Sequence, residues 1–271
     1  MSSEPMTTPA AAHPPAPPRG GLWTLPDRSQ VLALGFVLAL GFIAAATLLL
    51  KGRPAEIVLD HPSQHFPYPF TIQNFMHILF FAGVADLYVR WRTAAYEHSF
   101  LKKQLLPEDD ATVLRLKDMG VLRRRILGQF DRENGILPSL INLAILQFQS
   151  SKSIEQAAGV MNASLELTQH RVDLRYGMVR FIAWVVPTLG FIGTVYGLGS
   201  ALMQAGHAQG SLNLQDVARK LGVGFDCTMV ALVHSAILVL ILQQVQAKEE
   251  SAVNHAGEYT LHNLINRLYV D

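Results

Sequence analysis

Residues 187–197 read Pro187-Thr188-Leu189-Gly190-Phe191-Ile192-Gly193-Thr194-Val195-Tyr196-Gly197, followed after two places by Ser200 and Ala201. The run carries no charge. Gly193, Gly197 and Ala201 recur every four residues, and Gly190 and Thr194 make the adjacent row. On a helix, residues four apart share a face. Small residues on one face let two backbones approach closely, which is how helices associate in lipid, where no hydrophobic drive acts between them. The run sits inside a longer apolar stretch, Phe181 to Met203. That length matches the roughly 20 residues needed to cross a hydrocarbon core. Pro187 frees a backbone carbonyl and is expected to bend the helix.

Three more stretches fit the same requirement. Val31 to Leu50 has no charge and only Thr47 as a polar side chain. About Phe70 to Val89 is weaker, because it carries Gln73, Asn74, His77 and Asp86. An Asp at a helix centre costs roughly 2.5–3.5 kcal/mol on insertion, but much less near an end, where Asp86 falls. The alternative for this stretch is a buried or interfacial helix. Leu221 to Val245 is the fourth, interrupted by Asp226 and His234. The fold class expected is an all-α integral membrane protein with four transmembrane helices and a helical domain between spans two and three.

Lys and Arg set the expected direction. Most of the 22 basic residues lie between the second and third spans, from Arg90 to Arg180. The loop after span one holds Lys51 and Arg53, and the loop between spans three and four holds Arg219 and Lys220. The middle region and both termini are therefore expected in the cytoplasm. Residues 1–30 hold half of the 14 prolines and read as a disordered cytoplasmic tail. Residues 31–92 form the first transmembrane pair, 93–177 a cytoplasmic helical domain, 178–245 the second transmembrane pair, and 246–271 a cytoplasmic C-terminal helix. Within the middle domain, Val113, Leu116, Met119 and Leu122, then Ile136, Leu140, Leu143 and Leu146, repeat at three and four residues, as amphipathic helices do. Arg123, Arg124 and Arg125 read as a solvated face or a contact with lipid headgroups.

Composition narrows the function. Half of the 271 residues are hydrophobic and 16% are charged, with net charge +1. No global field points to nucleic acid. The single cysteine, Cys227, cannot form a disulfide within the chain. His61 and His65 share a loop but lack further ligands, so no metal site is expected. No nucleophile–base set, nucleotide loop or cofactor motif appears, so no enzyme is expected.

In span four, Gly224, Thr228, Ala231 and Ser235 make one small, slightly polar stripe. At 1.5 Å per residue, Thr194 lies roughly 13 Å from the outer end of span three and Thr228 roughly 10 Å from the outer end of span four. The two hydroxyls can share a level. Such a pair suits transient hydrogen bonds to a proton carrier, an ion or water. Plain helix packing is the alternative for the glycines. Asp226 has two readings, a proton-exchanging site or one half of a structural pair with His234 or another neighbour. His234 reads first as a packed, hydrogen-bonded histidine.

The Pro-x-Leu-Gly-x-x-Gly-Thr-Val-x-Gly run at 187–197 resembles the signature of the MotA/TolQ/ExbB proton channel family, and Thr-x-x-Ala-Leu at 228–232 resembles the family's last-span run. The resemblance is close over residues 178–245. It implies a homopentamer around a dimer of single-span partners of the ExbD/TolR/MotB type, whose membrane aspartate carries a proton or sodium ion. It implies an ion-driven motor for energy transduction, such as outer-membrane energisation, protein transport or motility. Carried over by position, Thr194 and Thr228 match the pore-lining threonines. The chain departs from the ExbB/TolQ branch in its four spans. It also has Val223 where that branch carries a glutamate, with Asp226 three residues later, and His234 has no counterpart. The ion pathway expected is Thr194, Thr228 and Asp226. The packing residues expected are Pro187, Gly190, Gly193, Gly197, Gly224, Ala231 and Ser235. The contacts expected are the chain itself, the single-span partner and membrane lipids. A non-conducting scaffold or sensor is the rival from another class. A transporter is disfavoured because no internal repeat appears.

Overall fold

A computed structural model describes residues 27–61, 67–109, 112–129, 135–207 and 214–270. Eight helices account for nearly all of it: α1 Arg28–Leu49, α2 Arg53–Leu59, α3 Ile72–Leu101, α4 Leu116–Gln129, α5 Ile136–Ser151, α6 Ile154–Arg175, α7 Gly177–His207 and α8 Leu214–Asn263. Two short strands, β1 Leu114–Arg115 and β2 Leu268–Tyr269, pair in parallel, Leu114 opposite Leu268. The predicted tail at 1–30 lies outside the described residues except for its last four. Of these, Arg28 to Gln30 already belong to α1, whose Asp27 cap accepts a hydrogen bond from the Ser29 backbone N–H.

Four helical stretches, in α1, α3, α7 and α8, are long and apolar enough to cross a membrane. Their outward faces agree. Leu34, Val37, Leu38 and Leu49 on α1, Phe191 and Leu202 on α7, and Phe225, Leu232 and Leu240 on α8 are all exposed. Contiguous apolar surface on this scale would aggregate in water, and lipid is its natural solvent. The polar residues that weakened the second span point the other way. Gln73, Asn74, His77 and Asp86 are all buried inside the bundle. Asp86 lies between Arg28, at 2.8 Å, and Arg90, at 2.9 Å. A membrane helix carries such groups when they face protein and are paired.

The region between spans two and three forms a second core with the far end of α8. Phe100, Met119, Leu137, Ile141, Ile145, Phe148 and Leu264 are buried in it. On α5 the buried face is Leu137, Leu140, Ile141, Ala144, Ile145 and Phe148. The expected stripe is thus rotated: Leu143 and Leu146 are only half-buried, because α6 and α8 both pack on this helix and widen the face. Val113 is exposed, since α4 starts only at Leu116. Arg123 donates to the Asn142 side chain at 3.0 Å, whereas Arg124 and Arg125 are solvated, as expected for most such runs.

Two features join the bundle to this domain. Helix α8 runs 50 residues without a break, about 75 Å, crossing the boundary expected at 245/246. Helices α6 and α7 are separated only by Tyr176. Tyr176 is fully buried, and its hydroxyl donates to Glu249 at 2.7 Å. The bundle thus has a domain end, near Tyr176, and a loop end, near α2.

Candidate functional site: the threonine seam between α7 and α8

Helices α7 and α8 run antiparallel and meet along the two small-residue stripes. A Cβ added to Gly197 would sit 2.9 Å from the Gly224 Cα and 3.1 Å from the Gly224 N and the Lys220 carbonyl oxygen. One added to Gly224 would sit 3.2 Å from the Thr194 Cα and carbonyl oxygen. These are backbone atoms, so no side chain can swing aside. Gly190 lies against Ala231 and the Thr228 Cα, and Gly193 against Cys227. Lower in the seam, the Ser235 hydroxyl donates to the Ala183 carbonyl on α7 at 3.0 Å. Pro187 stands within α7, which continues through it. Every packing residue named from the sequence except Pro187 is therefore found at a close approach or a cross-seam hydrogen bond.

Thr194 and Thr228 meet across this seam. Their hydroxyls are hydrogen-bonded to each other. Each also lies within hydrogen-bond reach of a carbonyl on the opposite helix, Thr194 2.9 Å from the Gly224 oxygen and Thr228 2.9 Å from the Gly190 oxygen, so whichever hydroxyl accepts from the other donates to its carbonyl. The glycines put those carbonyls within reach, because no Cβ holds the helices apart. Two hydroxyls own two protons, while two carbonyls and the partner hydroxyls offer more acceptor positions than that. The cluster is thus acceptor-rich. It can take a hydrogen bond from a third group, such as water, a protonated acid or a hydrated ion.

Asp226 turns away from the threonines. Its carboxylate faces Arg53 on α2, 3.1 Å away. Arg53 also lies 3.5 Å from Glu56, and Arg219 donates to Glu56 at 2.6 Å. Charges alternate across this patch and fasten α2 to the loop end of α8. The structural pair of Asp226 is therefore Arg53 and not His234. Val223 lines a small cavity with Gln73, Gly193, Gly197 and Cys227. His234 pairs with His77 instead, 3.1 Å apart. His61 stacks edge-on against Tyr68, and His65 lies outside the described residues. No group of three or more His, Cys, Asp and Glu that could hold a metal occurs among the described residues.

Sequence reasoning missed α2 and its Arg53, read there only as a loop cation. The one available signal was Pro54 directly after Gly52-Arg53, since proline favours the first turn of a helix.

The fold and seam define a multi-pass membrane protein whose last two spans meet through small residues and paired hydroxyls. Residues 132–257, a little under half of the chain, match the model of the MotA/TolQ/ExbB proton channel family. The match covers α5 through most of α8, including the whole threonine seam. No curated protein and no solved structure matches the chain.

Proposed function

We propose that the chain is the ion-conducting subunit of a motor driven by proton or sodium flow across a bacterial inner membrane. It assembles as a homopentamer around a single-span partner of the ExbD/TolR/MotB type, which brings a membrane aspartate. Its role is conduction and not catalysis. The distribution of Lys and Arg supports a cytoplasmic α4–α6 domain and cytoplasmic termini. The observation that carries the reading is the Thr194–Thr228 pair, acceptor-rich, half-buried and inside the region that matches the family. An aspartic acid on the partner helix would find there the acceptors needed to hold its proton in passage. The apolar faces of α7 and α8 offer the surface on which neighbouring copies and the partner pack.

A specific observation favours the rival, a non-conducting scaffold. The threonine hydroxyls already have partners within the chain, and Asp226 is already paired with Arg53. Such a seam holds two helices together whether or not an ion passes.

Flux separates the two. The chain and its single-span partner, reconstituted in vesicles, are assayed for proton and sodium uptake. Thr194→Ala and Thr228→Ala each remove a hydrogen bond to a charged carrier, a loss of about 1.5–3 kcal/mol or roughly tenfold to a hundredfold in rate. Thr188→Ala serves as control. Its hydroxyl donates only to Trp184 on its own helix, and it should leave flux unchanged. Wild-type flux in both seam variants would sink the pathway.

A further inference from the structure

His77 on α3 and His234 on α8 stand 3.1 Å apart, His77 Nδ1 facing His234 Nε2. The second nitrogen of each ring faces a backbone carbonyl. His77 Nε2 lies 2.9 Å from the Val58 oxygen on α2, and His234 Nδ1 lies 2.7 Å from the Val230 oxygen, one turn earlier on α8. A carbonyl oxygen only accepts, so both of these nitrogens must carry hydrogen. A neutral imidazole has one N–H, and here that N–H is already committed on both rings. The two nitrogens that face each other would then both be lone pairs. Three contacts need three protons, and two neutral rings supply two.

We propose that His77 and His234 form a proton-binding dyad, which takes up one proton from water and holds it between the rings as an N–H···N bridge. The ligand is a proton, and the site is separate from the threonine seam. His234 lies six residues, or about 9 Å along α8, from Thr228.

The surroundings fit a shared charge. His77 is only 1% exposed, so the cation has no water to stabilise it. Burial works against it. Three hydrogen bonds and two rings over which to spread the charge work for it. The rings are enclosed by Phe42 from α1, 5.0 Å from His77, and Phe80 from α3, 4.6 Å from His234. The titratable groups on the packed helices stand further along each. On α8, Asp226 and Cys227 are about two turns toward the loop end. On α3, Asp86 is nine residues away and neutralised by two arginines. On α2, Asp60 caps the helix two residues after Val58, and Glu56 is paired with Arg219. Helix α1 has no titratable residue between Ser29 and Leu50.

Occupancy has a mechanical consequence. The bridge runs from the Val58 carbonyl on α2, through α3, to α8. Loss of the proton leaves two facing lone pairs, and one of the three contacts must break. Helix α2 also carries Arg53, the partner of Asp226. The proton therefore fastens the helix that neutralises the acid of the last span. This holds whether or not the chain conducts ions.

The test is nitrogen NMR of the full chain, with its 10 histidines labelled, in phospholipid bilayers between pH 6 and 7. The expected result is an imidazolium signal showing nitrogen–nitrogen coupling across a hydrogen bond. That signal disappears in His77→Gln and in His234→Gln, because either ring alone satisfies its carbonyl as a neutral donor. Unchanged cationic histidine signals in both variants overturn the proposal. Where a variant fails to assemble, the wild type decides by itself. The coupling upholds the dyad, and its absence throughout that pH range overturns it. No step depends on ion flux, so a failed conduction assay and a failed dyad remain distinguishable.

Discussion

Gly197→Ala tests whether close backbone approach holds the threonine seam together. The added Cβ would lie 2.9 Å from the Gly224 Cα, with the Gly224 N and the Lys220 carbonyl oxygen at 3.1 Å. Carbon atoms rest comfortably at about 3.5–4.0 Å, so α8 must retreat by roughly 0.6 Å or more. Every obstructing atom is backbone, and no rotamer change relieves the clash. Overpacking of this kind costs about 1–3 kcal/mol. Alanine also gains up to about 1 kcal/mol over glycine through helix propensity alone. Gly41→Ala supplies the reference. Gly41 sits mid-way along α1 with no atom within 4 Å of its would-be Cβ. It receives the same propensity gain without the clash. The difference between the two variants is therefore about 1–3 kcal/mol, with Gly41→Ala the more stable. Reversible unfolding in mixed micelles measures it. Equal stabilities, within the roughly 0.5 kcal/mol scatter of independent sites, would refute the close-packed seam. The same retreat draws the Gly224 carbonyl away from Thr194, so any flux through the seam should fall with stability.

Two further outcomes follow from charged groups. Glu97 lies eight residues beyond the apolar part of α3, and its carboxylate accepts a hydrogen bond from the Ile136 N–H at 2.8 Å, at the start of α5. Burial pushes its carboxyl up to about 7, against the pull of that N–H and with a further push from Glu249. Between the ordinary carboxylate range and that value the folded chain binds more protons than the unfolded one, so stability falls as pH rises across the window, by up to about 3 kcal/mol. Glu97→Gln keeps the acceptor and removes the charge. Its advantage over the wild type should be near zero at pH 4 and grow to its full size by pH 8, and a constant difference across a pH series of unfolding curves would contradict this. At the loop end, Arg53→Gln leaves the Asp226 carboxylate, with a side chain 10% exposed, without its cation. Because Arg53 is itself 54% exposed, the loss is expected at about 1–2 kcal/mol, below the 3–5 kcal/mol of a fully buried pair. Adding Asp226→Asn should recover most of it, and a double variant no more stable than Arg53→Gln would rule out the ion pair as the cause.

The spans and the seam were legible in the sequence because both depend on local spacing. A run of about 20 apolar residues is long enough to cross the hydrocarbon core as a helix. Small residues at every fourth place mark one face of that helix, and depth counting alone put Thr194 and Thr228 at a common level. Their contact follows from those two facts and from a connection short enough to make the helices antiparallel. The family match over residues 132–257 includes that same stretch.

Periodicity says which face of a helix is special but not which other helix will cover it. Asp226 was visible as an oddity, but its partner Arg53 lies 173 residues earlier, on a seven-residue helix whose apolar content was too short to register. His77 and His234 are separated by 157 residues, and the spacing within either span gave no sign of the other. Gln73, Asn74 and Asp86 made the second span look doubtful, because hydropathy sums over a helix and ignores direction. Helix α8 continues past the apolar stretch because the domain core, with Leu264 and the β1–β2 pair, holds its far end. What the sequence determined by itself was the set of membrane helices and the small faces they offer, since these arise from residues a few places apart. What only the tertiary structure decided was the partner of each buried polar group, since that depends on contacts between distant segments which no local pattern encodes.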